Sequence, residues 1–298
     1  MDATRTLSNP DMRMAQADGR APAFLALGRS PAEHGVAIAA MRFAGAAHLA
    51  GRSGEHLVNF HLSAPSTLRC AIADRRLAHL AHAGSLSICP AGVDCSVEAG
   101  TDVEVMSLVL SSECLSFESL RAGRAAPRLV ERLSGRDDRL LQLARLLLAE
   151  TASGFPNGAL HWSSISQHIL DHLATHHLVA PLAPAAGALD RPTLSRLDDY
   201  IQARIAEPIC LPDLASIAGC GRFHFTRLFR RGTGMTPHRY VMRLRVAHAL
   251  GLLRATALPL ADVAAASGFA DQSHLSRWMR QIHGFAPGAL RGEPRPSA

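Results

Sequence analysis

Two short segments in the last third of the chain carry side chains able to read nucleic acid. Arg222-Phe223-His224-Phe225-Thr226-Arg227-Leu228-Phe229-Arg230 and Gln272-Ser273-His274-Leu275-Ser276-Arg277-Trp278-Met279-Arg280 match at an offset of 50 residues. Spacings of three and four residues place Phe225, Leu228 and Phe229 on one helix face, and Leu275, Trp278 and Met279 on the same face of the second segment. The other side is left to Arg222, Phe223, Thr226 and Arg227, and to Gln272, Ser273, Ser276 and Arg277. Arg and Gln read base edges through paired hydrogen bonds, and Ser and Thr adapt to base or phosphate. These eight are the candidate DNA-binding residues. His224 and His274 recur at equivalent positions and read as packing or phosphate-contacting residues rather than metal ligands.

Each segment needs a partner helix to aim it. Asp213-Leu214-Ala215-Ser216-Ile217-Ala218-Gly219 and Asp262-Val263-Ala264-Ala265-Ala266-Ser267-Gly268 supply that partner, with Pro212 suited to a first helical turn. Gly219 and Gly268 fall where the first helix must stop in a left-handed conformation. Two helix-turn-helix units over about 211–231 and 260–282 follow. Between them Pro237 to Arg254 is amphipathic, and at 1.5 Å per residue spans roughly 25 Å, enough to hold two recognition helices near one DNA turn of about 34 Å.

The charge lies where these units are. The net charge is +6, of which residues 1–189 contribute −1 and residues 190–298 contribute +7. Every basic residue is Arg, the side chain whose planar fork fits phosphate and guanine. Arg230, Arg231, Arg239, Arg243 and Arg245 taken alone read as a solvated helix face as readily as a DNA surface.

Across about 195–292 the sequence resembles the AraC/XylS family of transcription regulators. Gly268, Phe269, Gln272, Ser273, His274, Leu275, Ser276, Arg277, Trp278, Met279, Arg280, Gly284, Pro287 and Arg291 meet its second motif, and Arg243, Leu244, Ala247, Leu252 and Leu253 its linker-helix pattern. The resemblance implies base-facing roles for Arg222, Phe223, Thr226 and Arg227, and for Gln272, Ser273 and Arg277. Gly221 departs from it, standing where a Ser commonly caps the first recognition helix, as do Met279 for the usual Phe and Leu290 for the usual Tyr. The resemblance also implies a cupin-like N-terminal domain that binds an effector or dimerises, double-stranded DNA as partner, RNA polymerase where the regulator activates, and a homodimer.

The expected fold is α+β: an N-terminal cupin-like antiparallel β-barrel with following helices, then an all-α C-terminal domain. Residues 1–30, polar and rich in small residues, read as a loose tail. Residues 31–180 form the cupin-like domain, with strand-like apolar runs from about 35 to 111 and helical periodicity over 126–179. The Pro-rich stretch 181–193 reads as a linker, and 194–293 as the DNA-binding domain.

Enzyme chemistry finds little support. A cupin metal centre needs imidazoles and a carboxylate converging on one ion, and His48, His56, His61, His79 and His82 include no His-x-His followed by Glu. No catalytic residue, cofactor or metal is therefore expected, and a metalloenzyme with an appended DNA-binding domain stands as the contrasting alternative, beside a constitutive dimeric regulator without ligand. His168, His172 and His176 recur every four residues, a stripe that reads as the polar face of a helix before it reads as a metal or pH sensor. The six cysteines are scattered without CxxC, and Cys89 and Cys95 read as core thiols rather than a redox pair. No apolar run approaches ~18 residues, so a cytoplasmic protein without membrane contact is expected.

Overall fold

The computed structural model describes residues 12–16, 18–29, 35–121, 128–154, 156–179 and 187–291. The chain divides into two compact units, one drawn from residues up to 30, 35–114 and 128–179, the other from 31–34, 115–127 and 180–298.

In the first unit, short apolar runs broken by turns become antiparallel strands. One sheet consists of β1 (Met12–Gln16), β4 (Ala47–Arg52), β9 (Asp94–Ala99), β6 (Ser66–Ile72) and β7 (Arg75–Ala81), in that spatial order. The other is β2 (Ala23–Arg29), β3 (Val36–Phe43), β10 (Val103–Leu110), β5 (His56–His61) and β8 (Leu86–Cys89). Leu57, Val109, Cys70 and Ile72 interlock across the two sheets. Cys89 and Cys95 are free thiols of this region, and Cys89 Sγ donates to the Pro90 and Val93 carbonyls at 3.8 and 3.7 Å.

The sheets remain separate instead of closing into the expected barrel. The outer edge of β8 is taken by the segment before the helices: Leu86 N–H donates to the Gly135 carbonyl and Ile88 N–H to that of Arg132. A second difference lies in the expected loose tail. Residues 12–16 and 23–29 are strands, because Met12, Met14, Phe24 and Leu27 supply apolar side chains to the inter-sheet clusters. The first eleven residues lie outside the described part.

Helices α2 (Asp138–Ala152) and α3 (Gly158–His176) complete this unit. Asp137 caps α2 by accepting the Leu140 N–H at 2.9 Å. Gly28 lets α2 and α3 approach β2, since a Cβ there would strike Thr151 Oγ1 and the Trp162 ring. The helices within 126–179 are flanked by two strands, β11 (Arg128–Leu129) and β12 (Leu178–Val179), which pair with each other.

The second unit is helical: α4 (Arg191–Ala203), α5 (Leu211–Ile217), α6 (Arg222–Thr233), α7 (Pro237–Ala255), α8 (Leu260–Ala266), α9 (Gln272–His283) and a 3-10 turn, Pro287–Arg291. Helix α1 (Ser112–Arg121) counts with this unit from Leu115 onward. The end of the expected linker is in fact helical. Asp190 caps α4 through Thr193 N–H, and Pro192 sits in the first turn, where its missing N–H costs nothing. Residues 181–186 of that linker lie outside the described part.

Candidate nucleic-acid interface

α5 with α6, and α8 with α9, are the two helix-turn-helix units. Gly219 and Gly268 adopt φ of +66° and +74° in the turns, and Gly234 and Gly284 end α6 and α9 at +75° and +78°. At the start the two recognition helices differ. Asp271 Oδ1 accepts the His274 N–H at 2.7 Å, whereas Gly221 offers α6 no side-chain cap.

Burial repeats almost residue by residue at the offset of the sequence repeat. Phe225 and Phe229 of α6 are buried, as are their counterparts Leu275 and Met279 of α9. Arg222, Phe223 and Arg227 are exposed, as are Gln272, Ser273 and Arg277, while Thr226 and Ser276 are half-buried. Six of the eight candidate residues are thus exposed on the outer faces, and Thr226 and Ser276 are partly covered. Neither α6 nor α9 contains an acidic residue, and together they hold Arg222, Arg227, Arg230, Arg231, Arg277 and Arg280.

Details refine the individual roles. Arg227 Nη2 donates to His224 Nδ1 at 3.0 Å, so His224 steadies the guanidinium. Trp278 Nε1 donates to His274 Nε2 at 3.1 Å, making His274 a packing residue. Thr226 Oγ1 donates to the Arg222 carbonyl at 3.0 Å. Phe223 is 93% exposed, an unusual state for a phenyl ring and one that presents an apolar surface among arginines.

Helix α7 contacts both recognition helices. Tyr240 meets the Phe229 ring at 5.5 Å, and His238 meets that of Trp278 at 5.9 Å. Tyr240 is itself fixed by its OH donating to Asp198 at 2.8 Å. Two linker-helix arginines read as a charged face belong elsewhere. Arg243 is buried, its guanidinium 5.4 Å from the Phe117 ring centre, and Arg245 donates to the Ile205 and Glu207 carbonyls at 3.1 and 2.6 Å. Exposed cationic surface is supplied by Arg230 and Arg231 instead.

The first unit holds a cavity of about 120 Å³ between its sheets, lined chiefly by apolar side chains such as Met41, Phe43, Leu57 and Leu68. Asn59, Ser107, His61 and His79 are among its polar lining groups. Ser107 Oγ donates to Asn59 Oδ1 at 2.8 Å, but the buried Nδ1 atoms of His61 and His79 have no hydrogen-bond partner. Burial, and then neighbouring His61, lower the pKa of His79, which favours the neutral ring. The sequence supplied these histidines only as a failed metal motif. Their convergence depends on β5 and β7 lying in different sheets, which no local spacing shows.

Two helix-turn-helix units, joined by a helix that touches both recognition helices and presenting arginine-rich faces, define a DNA-binding module. The family model described as "Helix-turn-helix domain" matches residues 214–293. The probable transcriptional regulator LumQ of Photobacterium leiognathi is 33% identical over 99 residues, covering 33% of this chain and 40% of that protein. The transcriptional activator RhaS of Enterobacter sp. (strain 638) is 31% identical over 98 residues, covering 33% and 35% respectively. A solved transcriptional regulator with an AraC-type DNA-binding domain, from Chromobacterium violaceum, shares 30% identity with a TM-score of 0.33, covering 34% of this chain and 90% of that one. The C-terminal domain of this chain is a helix-turn-helix DNA-binding domain of the AraC type. The chain spans between a third and a half of the length of these two curated relatives. No helix among the described residues is long and apolar enough to cross a membrane.

Proposed function

We propose that the chain is a sequence-specific transcription regulator that works by binding promoter DNA in the cytoplasm, without catalysis. The observation that carries this reading is the duplicated exposure pattern of α6 and α9, which presents Arg222, Phe223 and Arg227 in one unit and Gln272, Ser273 and Arg277 in the other. Arg–phosphate contacts supply affinity, and the exposed side chains near the starts of the two recognition helices supply specificity.

Selection of bound fragments from genomic DNA by the full-length protein yields its site, and competition against random DNA then tests the readers. Arg277→Ala and Arg227→Ala should each weaken binding to the selected site by about 1–3 kcal/mol, with a smaller loss on random DNA. Equal losses on both would assign these residues to phosphate. Phe223, being apolar, is suited to the C5 methyl of thymine. Exchanging deoxyuridine for thymine across the first half-site should cost wild type about fourfold per contacted methyl. Phe223→Ala should show no such penalty, and an unchanged penalty in the variant would remove Phe223 from base reading.

The cavity between the sheets supports control by a small molecule with a largely apolar body and one polar end that satisfies the His61 and His79 nitrogens. Mostly apolar pockets with a few convergent polar groups are the usual form of such sites. Amphipathic small molecules screened by thermal shift should raise the melting temperature of wild type, and this shift should shrink in His79→Leu. Uniform shifts in both proteins would place the ligand elsewhere.

A further inference from the structure

Asp137 lies at the start of α2 and is the meeting point of two histidines from the end of α3. His172 Nε2 and His177 Nε2 each lie 2.7 Å from the same oxygen, Oδ2. The side chains of Asp137, His172 and His177 are only 13%, 11% and 5% exposed. Burial alone would raise the Asp137 pKa, but hydrogen bonds from Leu140, His177 and His172 outweigh it and hold the carboxyl at about 2. The histidine stripe seen in the sequence is divided by the fold. His168 and His176 face solvent, while His177, the C-terminal cap of α3, turns inward.

We propose that Asp137, His172 and His177 form a binding site for a divalent first-row metal ion, zinc foremost. Their three donor atoms lie within 4.8 Å of one another. Two imidazole nitrogens and one carboxylate oxygen are a zinc donor set, and tetrahedral bonds of about 2.0–2.1 Å place neighbouring donors about 3.3 Å apart. Each His–Asp separation must therefore open by about 0.6 Å for the ion to enter. A neutral ring binds through Nε2 by carrying its proton on Nδ1 instead, and a charged one releases a proton. Water fills the fourth corner.

The ion would tie the end of α3 to the segment that closes the β8 edge. His177 O already accepts the Val130 N–H at 2.8 Å, and Arg132 and Gly135 pair with β8. Leu133, between them, lines the inter-sheet cavity. The competing account is a metal-free knot of charge-assisted hydrogen bonds, and it fits the same distances.

Metal titration separates the two accounts, and it is independent of DNA binding. Full-length protein stripped with a chelator is titrated with Zn²⁺ by calorimetry and with Co²⁺ by absorption. The expected result is one equivalent bound, tetrahedral cobalt bands without a thiolate charge-transfer band, and a melting temperature raised by about 5–10 °C at free zinc ~100-fold above Kd. Asp137→Asn and His172→Gln, both near-isosteric, should lose more than about 100-fold in affinity, beyond the usual effect of a second-shell change. Should Asp137→Asn fail to fold, the half-buried His172→Gln carries the comparison. Absence of stoichiometric uptake, uptake unaltered in the folded variants, or a cobalt–thiolate spectrum would overturn the proposal.

Discussion

Gly268→Ala should destabilise the helical unit by about 3–5 kcal/mol, while Gly219→Ala, at the corresponding turn of the other repeat, should cost only about 1–2 kcal/mol. Both glycines have positive φ, +74° and +66°, so alanine is strained at either. What differs is the surroundings. Nothing lies within 4 Å of a Cβ built on Gly219, whereas one on Gly268 would sit 2.7 Å from Arg245 Nε and collide with the Ile205 carbonyl oxygen. These two atoms form the hydrogen bond that anchors α7 to the segment after α4. The methyl group would wedge into it, and losing a charged hydrogen bond in a half-buried place adds about 1.5–3 kcal/mol to the backbone strain. Chemical denaturation of the full chain, followed by helix ellipticity, measures both variants. Equal shifts of the midpoint would show that φ alone decides the cost.

That asymmetry marks the limit of what a repeat reveals. The turn glycines and the apolar face of each recognition helix were legible because each depends on residues within one helical turn, and both units share those spacings. Arg245 was not legible in the same way. Its partners, the Ile205 and Glu207 carbonyls, are about forty residues away in sequence, so the side chain looked like one more surface cation. Arg243 misleads for a related reason, since the Phe117 ring beneath it comes from α1. In the β unit, short apolar runs exposed the strands from about 35 to 111 but not their sheet assignment, and the polar and small residues around them in 1–30 hid the apolar side chains of 12–16 and 23–29. Asp137 shows the same limit most clearly. Its role in capping α2 follows from the adjacent sequence, but its contacts with His172 and His177 join positions 35 and 40 residues apart.

Acidification should weaken the β unit between about pH 6.5 and pH 4, with His56 as a principal cause. His56 is 8% exposed, and its Nδ1 accepts the Ala91 N–H at 2.9 Å, which fixes the neutral ring. Burial lowers its pKa from 6.5 to about 4. In the unfolded chain the ring takes up a proton once the pH falls below about 6.5, but in the folded chain it does so only near 4. Stability from this group is therefore complete above the unfolded value, declines as the pH falls through the window, and levels off below the folded value. At 1.36 kcal/mol per pH unit the total is on the order of 3 kcal/mol. Neighbouring Glu55 acts in the opposite sense, because burial raises its pKa and folding then favours its protonated form. Comparison with His56→Gln isolates the histidine, since glutamine can still accept from Ala91 but does not titrate. Trp162, wholly buried in this unit, reports its unfolding once Trp278→Phe removes the other tryptophan. His56→Gln should lose most of the slope between pH 6.5 and 4. An unchanged slope would mean that His56 is protonated without unfolding, and the acid response would then belong to other groups.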